Sequence, residues 1–366
     1  MLLRRLLGIF ILSVAVVVPV SGQDKDAKKD DKPKDETKKD AKTKDEKPKD
    51  EKAKDDKKDE KKPDDKKEKA LLKWKFEKDK VFYQKMSTKT TQTMKVMTNE
   101  VKQVQEQTFY FKWTVTDVKT DEVILKQSIE GVVMNIDIGN QKIAYDSTNA
   151  KDATANNPLA DFFKALKGAE FTITLNTKDM TVTKIDGRPK FIEDLGKQNP
   201  QMKPLLETIL SEKALMQMSE PTFSAIPGKE VSVGEKWTKK TSLDMGPIGK
   251  YENEYTYTYE GKDKKLDKIK VETALKYAPP NDAAGGGTGG LPFKIKSADL
   301  KSTKADGTIL FNPETGRIET STMNLKLSGK LSIEIGGQTT DVDLDQVQDS
   351  SVTNTDKSEL PEAKKP

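Results

Sequence analysis

The most constraining feature of this chain is an apolar side chain at every second position over many short runs. Clear examples are Phe109 to Val115, Phe171 to Leu175 and Met323 to Leu327, and further runs begin at residues 71, 101, 123, 136, 180, 251, 269, 293, 309 and 331. A period of two places the apolar side chains on one face of a strand, as in antiparallel sheets with one buried face. The sequence therefore predicts a mainly β (β-rich α+β) fold: a curved antiparallel sheet or incomplete barrel with a few amphipathic helices packed on its concave face.

Two stretches replace this alternation with helical patterns. The first begins with Asn157 and Pro158 and ends at Gly168, with a capping residue, a first-turn proline and a glycine stop. In the second stretch, a helical turn is expected around Phe191, and Pro200 and Pro204 interrupt the helical pattern. Residues 205–218 are then expected to form one longer amphipathic helix. Their apolar stripes are expected to pack on the chain's own sheet; the alternative is a movable lid over a ligand cavity or a groove for a partner.

The candidate ligand-binding residues are therefore apolar and belong to these two helices. They are Phe162, Phe163, Leu166, Leu205, Leu206, Ile209 and Leu210. No catalytic residue and no metal ligand is proposed beside them.

The first 69 residues have the pattern of an export signal followed by a spacer. Arg4 and Arg5 precede an apolar run from 6 to 20, which is shorter than a membrane span needs, and cleavage is expected after Gly22. Residues 23–69 consist mostly of Lys, Asp and Glu and are expected to be a disordered tether, either a spacer or a solubilising leader. We expect an exported protein without a membrane span after cleavage, in the periplasm, at the cell surface or outside the cell.

The residue types that are missing exclude several kinds of chemistry. The chain has no cysteine and no histidine, which rules out disulfides, thiol catalysis, serine-histidine-acid triads and metal sites built from thiolate or imidazole. No serine is followed by lysine three positions later, so the serine-lysine signature is also missing. We expect no enzyme and no cofactor, although acids distant in sequence could still face each other as in a carboxylate hydrolase.

The charge distribution does not favour a nucleic-acid partner. The chain has 65 basic and 60 acidic side chains, but Arg4 and Arg5 leave with the signal and the charges of the tether nearly balance. Nucleic-acid binding needs a surface patch of one sign, and no such patch is indicated. The partner is expected to be an apolar ligand or an envelope protein, and the sequence does not indicate an oligomeric state.

Two motifs partly match the sequence patterns of nucleotide-binding and calcium-binding loops. The glycine-rich stretch 285–290 has the spacing of a dinucleotide loop, but its proline flanks predict a flexible connection. The alternating acids from Asp341 to Asp345 resemble the start of a calcium loop, but Gln346 and Val352 stand where that loop has glycine and glutamate. The acids are expected to face water on a strand, with Val342, Leu344 and Val347 packed beneath.

The globular domain is expected to span residues 70–348, followed by a disordered tail at 349–366. Two hairpin segments, Leu175 to Val182 and Phe311 to Ile318, share an asparagine after an apolar residue. They indicate two sheet repeats, about 71–187 and 230–348, with the helices between them; the alternative is that common hairpin chemistry produced the similarity.

The run from Ala225 to Trp237 follows a helix and opens a new set of strands. Together with Leu72 to Phe76, Val81 to Tyr83 and Tyr145 to Ser147, it resembles a family of exported bacterial proteins, domain of unknown function 6263, over about residues 71–347. The resemblance brings no catalytic residues. The layout also resembles the half-barrels that carry lipids or lipoproteins in the bacterial envelope, which is fold analogy alone.

The leading hypothesis is an exported, non-enzymatic binding module of the cell envelope that holds an apolar ligand or an exported protein segment between its sheet and its helices. The alternative is a structural or adhesive envelope protein with a charged tether. A carboxylate-based hydrolase is the third hypothesis.

Overall fold

The computed structural model describes residues 68–139, 141–149, 163–198, 200–280, 291 and 293–362. The signal, the tether as far as residue 67, Phe162 and the glycine-rich stretch 285–290 lie outside these residues. The expected disorder is wrong at Lys69, because this residue begins the first strand. The described strands are β1 Lys69–Leu72, β2 Val81–Val96, β3 Asn99–Val118, β4 Glu122–Ile138, β5 Gln141–Asp146, β6 Glu170–Asn176, β7 Val182–Asp186, β8 Lys229–Ser232, β9 Lys236–Asp244, β10 Lys250–Asp263, β11 Leu266–Ala278, β12 Lys294–Asn312, β13 Arg317–Ile335 and β14 Gln338–Thr355.

Twelve of these strands form one antiparallel sheet. Its order is β7-β6-β4-β3-β2-β14-β13-β12-β11-β10-β9, β5 pairs with β4, and β1 pairs separately with β8. The chain starts at the centre with β2, meanders to the β7 edge, crosses to the opposite edge at β9 and meanders back to β14. The sheet is not closed into a barrel by strand pairing, and the predicted fold class is confirmed.

The pairing of β14 with β2 joins the two proposed repeats into one sheet. Their two hairpins share a turn: the side-chain oxygens of Asn176 and Asn312 each accept a backbone N–H at 2.9 Å, from Lys178 and Glu314. Each turn ends in a residue of positive φ, Met180 at 60° and Gly316 at 63°. The shared hairpin chemistry is real, and the duplication itself stays a prediction.

Three helices connect β7 to β8: α1 Arg188–Gln198, α2 Lys203–Ile209 and α3 Glu212–Ser224. The single longer helix expected over 205–218 is wrong, because the chain breaks between α2 and α3. Ser211 starts the new helix, and its hydroxyl oxygen accepts the Ala214 N–H at 3.2 Å as an N-cap. Pro204 lies in the first turn of α2, where its missing N–H does no harm.

The first predicted helix is described only from residue 163, where residues 163–166 are helical. Gly168 follows with a φ of 83°, which agrees with its predicted role as a stop. Asn157 and Pro158, the predicted start, lie outside the described residues.

Helix α3 contacts both edge strands of the sheet, β7 and β9. At β9, the backbone N–H of Asp244 donates to Gln217 Oε1 at 3.1 Å. Pro221 lies inside α3, about one turn before the helix ends at Ser224. The helix therefore lies between two edges that do not pair with each other.

The two ends of the domain differ from expectation. The strand expected from 71 to 76 ends at Leu72, and the N–H of Lys75 instead donates to Gly316 O at 2.9 Å. The disorder expected from 349 is wrong for its first part, because β14 continues to Thr355 and stays paired with β2 to Tyr83. Beyond it, Glu359 forms an ion pair with Lys85 at 3.5 Å.

Candidate functional site

The six predicted lid residues that the structure describes all pack into the hydrophobic core. Phe163, Leu166, Leu205, Leu206 and Ile209 are buried, and Leu210 is half-buried. The ring of Phe163 lies 5.6 Å from that of Tyr145 on β5. None of these residues is among those that line the cavity described next. They belong to the hydrophobic core.

A small cavity lies between the C-terminal end of α3 and the inner face of the sheet, the face that carries the buried side chains. Its volume is about 30 Å³, enough for one or two water molecules. It is lined by Trp74, Phe82, Gln84, Trp113, Pro221, Thr222, Phe223, Ala225, Tyr255, Tyr257, Ile309, Arg317, Ile318, Ser321, Val352 and Asn354.

Two tryptophans hold the end of α3 against the sheet. The ring of Phe223 lies 5.8 Å from the rings of both Trp74 and Trp113. Trp74 Nε1 also donates to the carbonyl oxygen of Phe223 at 2.8 Å, which satisfies one of the last carbonyls of the helix. A third tryptophan, Trp237 on the edge strand β9, donates from Nε1 to Ala225 O, just after the end of α3, at 3.0 Å.

A few polar groups interrupt this aromatic lining. Gln84 Nε2 donates to Asn354 Oδ1 at 3.1 Å, and Arg317 lies 5.5 Å from the ring centre of Phe82. Trp113 Nε1 has no hydrogen-bond partner among the described residues, although Trp113 is buried. Burial raises the pKa of Tyr255 and of Tyr257, so both phenols stay protonated at neutral pH.

Among the described residues that line the cavity, none has a carboxylate side chain. Within the described part of the chain, no three acidic side chains come together as a metal site would require. Asp343 and Asp345 are exposed on β14, and Asp343 pairs with Lys330 at 3.6 Å. The arrangement can enclose a small, mainly apolar group and offer hydrogen bonds to a polar atom attached to it.

A second feature of the inner face was missed by the sequence analysis: a block of nine uncharged polar side chains on β14, β2 and β3. We call it the polar grid. Its three rows, as strand pairing aligns them, are Gln346-Gln92-Gln103, Gln348-Thr90-Gln105 and Ser350-Thr88-Gln107.

All nine side chains of the polar grid are buried, with at most 4% of their surface exposed. Some bond along their strand: Gln103 Nε2 donates to Gln105 Oε1, and Gln105 Nε2 donates to Gln107 Oε1, both at 3.3 Å. The buried atoms without a hydrogen-bond partner among the described residues include Thr88 Oγ1, Gln103 Oε1 and both Oε1 and Nε2 of Gln346. Buried polar atoms are usually paired in native proteins, so this group requires an explanation.

The sequence did not predict the polar grid, because these strand segments have no alternation of apolar and polar residues. Val347 was expected to pack beneath the strand, but Gln346 and Gln348 take the inward positions and Val347 is half-buried on the other face. The signal was present in another form: uncharged Gln and Thr alternate with charged residues such as Glu106 and Asp349. Strand β2 was not predicted for the same reason.

Comparison with known proteins identifies a family but not an activity. No curated protein matches the chain. Among solved structures, the chain is similar to lipovitellin, from a study of lipid–protein interactions, with a TM-score of 0.39 and 11% identity over 80% of this chain. An outer membrane channel from Pseudomonas putida F1 follows with a TM-score of 0.24 and 6% identity, covering 80% of this chain and 99% of the channel.

The chain spans 27% of the length of the lipovitellin it matches. At these TM-scores neither likeness establishes a shared fold. In the described part of the chain, no helix has both the length and the apolar character that crossing a membrane requires.

A family model provides the firmer result. It matches residues 120–318, more than half of the chain, and describes a family of unknown function, DUF6263. The match includes the helices, β10 and the residues of α3 that line the cavity. The polar grid, on β2, β3 and β14, lies outside it. This chain is therefore a member of the DUF6263 family.

Proposed function

We propose that this chain is an exported, non-enzymatic binding module of the cell envelope, which holds an apolar ligand or an exported protein segment between its sheet and helix α3. The observation that carries the proposal is an aromatic cavity beneath a helix that contacts two unpaired sheet edges. Apolar pockets with a few polar groups are the usual form of a ligand site.

A cavity of about 30 Å³ does not hold a lipid chain, so α3 must move when the ligand binds. The chain supplies a break for such a movement at Leu210 and Ser211, between α2 and α3. Terminal residues of helices commonly absorb the backbone changes of a hinge. The contacts that would open are local: the Gln217 bond to β9 and the Trp74 bond to Phe223.

The small cavity also favours a second candidate, a structural or adhesive envelope protein whose sheet is a rigid body. In that case α3 stays closed, and the burial of Phe163, Leu205 and Leu206 serves stability alone. The two candidates differ in whether α3 opens.

Native mass spectrometry on protein purified without detergent from its own envelope fraction is the first test. A binding module is expected to carry an apolar passenger at constant stoichiometry, which lipid extraction then identifies. A clean apo mass in repeated preparations would favour the structural protein.

Locking α3 tests the proposed movement directly. The chain has no cysteine, so the double variant Gln217→Cys/Asp244→Cys offers a single pair for oxidation, at the place where the Asp244 backbone N–H donates to Gln217 Oε1. The oxidised variant is expected to lose uptake of a fluorescent fatty-acid probe, and reduction should restore uptake. The reduced variant is its own matched control. Equal uptake in both states would contradict the lid.

A further inference from the structure

The polar grid and the cavity share one inner face. Gln84 on β2 and Asn354 on β14 line the cavity. Thr88 and Ser350, the first row of the polar grid, are four positions away from them along the same strands. Two residues of an antiparallel strand span about 6.8 Å, so the first row of the grid lies about 14 Å from the cavity-lining row. A ligand entering beneath α3 would meet the cavity first and the grid next.

Apolar strands border the polar grid on both sides. On β13 the neighbours are Met323, Leu325 and Leu327, which pair with Ser350, Gln348 and Gln346. On β4 they are Met134, Ile136 and Ile138, which pair with Gln107, Gln105 and Gln103. The inward positions of these three rows, from β13 to β4, include no charged side chain.

The unpartnered atoms of the polar grid include both donors and acceptors. Gln346 offers an acceptor in Oε1 and a donor in Nε2, Gln103 offers an acceptor in Oε1, and the Thr88 hydroxyl offers either. A buried polar atom without a partner destabilises the fold, because it has lost its hydration without gaining a hydrogen bond. An occupant that both donates and accepts hydrogen bonds, and that has no formal charge, would satisfy these atoms without burying an uncompensated ion.

From these observations we infer that the polar grid binds the neutral, hydrogen-bonding head of an amphipathic ligand, a head with hydroxyl or amide groups. The apolar part of this ligand lies against the flanking strands and extends toward the aromatic cavity. The inference rests on the proposed binding function and changes its ligand class, from a purely apolar molecule to a neutral amphiphile.

The test compares three probes that share one apolar chain: monooleoylglycerol, methyl oleate and oleate. Monooleoylglycerol has two hydroxyls, methyl oleate has acceptors only, and oleate is charged. The full mature chain is expected to bind monooleoylglycerol about tenfold more tightly than either of the others, the equivalent of one or two net hydrogen bonds. Native mass spectrometry and competition titration measure the preference.

Variants then locate the preference. Gln346→Leu and Thr88→Val remove unpartnered polar atoms at nearly constant shape and are expected to abolish the preference while leaving methyl oleate binding unchanged. Thr91→Val is the matched control, because Thr91 is exposed on the same strand. Neither grid variant is expected to melt at a lower temperature than the parent without ligand, since neither loses a hydrogen bond within the described protein.

The possible failures are distinguishable. If the chain binds monooleoylglycerol and methyl oleate equally and the variants change nothing, the proposed function stands and the inference falls. If the grid variants melt at clearly lower temperature and the preference persists, the grid is structural and the inference also falls. If no probe binds the parent chain, the proposed function and the inference fall together.

Discussion

The inner face of the sheet is built differently at its centre and at its flanks. In one row of paired strands, Leu325 and Ile136 flank Gln348, Thr90 and Gln105. The exposed fractions are nevertheless almost equal, 2% for Leu325, 2% for Thr90 and 1% for Gln105. Side-chain polarity therefore does not decide which positions are buried; the pleat and the strand pairing decide it.

The two regions contribute to stability in different ways. At the flanks, burial of apolar area is itself favourable, at roughly 25 cal/mol per Å². At the centre, each buried amide loses its hydration, and only hydrogen bonds within the protein or to a ligand offset that free-energy cost. Stability is therefore expected to come from the flanks, and the centre to serve recognition.

The largest expected effect lies at the flank. Leu325→Ala should lower the free energy of unfolding by about 2–5 kcal/mol, because it removes buried methyl groups and leaves a cavity. Chemical denaturation measures the loss. Lys326→Ala, at the neighbouring exposed position, is the control. If the two variants lost the same amount, the flank would not be the packed core described here.

The second effect compares a buried donor that has a partner with one that has none. Trp74→Phe should cost about 1–3 kcal/mol more than Trp113→Phe, because only Trp74 loses a hydrogen bond and leaves Phe223 O unpaired. Thermal unfolding of both variants measures the difference. Equal costs would mean that the bond to α3 does not stabilise the closed helix.

A smaller effect divides the centre itself. Gln105→Leu should lower stability by about 1 kcal/mol, because Gln105 both accepts and donates within the polar grid. Gln346→Leu should leave stability unchanged or raise it, because its amide atoms have no partner among the described residues. Urea unfolding compares the two variants. A clear loss in Gln346→Leu would break the contrast between centre and flank.

The smallest effect concerns the edges that α3 bridges. Burial raises the pKa of Glu220; the nearby Lys239 lowers this pKa and Asp179 raises it. A carboxyl with a raised folded pKa destabilises the fold as it ionises, so stability is lost as pH rises through that pKa. Glu220→Gln should therefore stabilise slightly at neutral pH, and its advantage should disappear below about pH 4.5, the ordinary glutamate range.

Melting curves between pH 4 and 8 test this prediction. Glu254→Gln, at an exposed acid that pairs with Lys240 on β9, is the control. An advantage for Glu220→Gln that persists unchanged at the acid end would exclude the proposed cause.

The sequence predicted most of the flanks and little of the centre. Phe171 to Leu175 and Met323 to Leu327 lie in flank strands, because an apolar period of two is nearly unambiguous over several residues. Strand β2 has no such period, since its inward positions hold Gln, Thr and Met. It was therefore missed, although it joins the two halves of the sheet.

The candidate site was predicted only in part. Phe163, Leu205 and Leu206 were correctly expected to be buried, but they belong to the hydrophobic core and do not line the cavity. The residues that do line it, such as Trp74, Phe223 and Tyr255, come from distant parts of the chain. Periodicity describes which face a residue takes, and it contains no information on which distant faces meet.

The sequence by itself determined the antiparallel strands, the hairpin turns at Asn176 and Asn312, and the exclusion of thiol and imidazole chemistry. These depend on local properties: side-chain alternation, turn residues and residue types that are present or missing. Only the tertiary structure decided that β14 pairs with β2, that α3 lies between two sheet edges, and that three rows of glutamine, threonine and serine are buried together. The pairing of β14 with β2, and the burial of the three rows that it brings together, depend on strand register between segments more than 200 residues apart, and register is set by the packing of the whole sheet. The position of α3 depends on where the two sheet edges come to lie, which no local pattern contains.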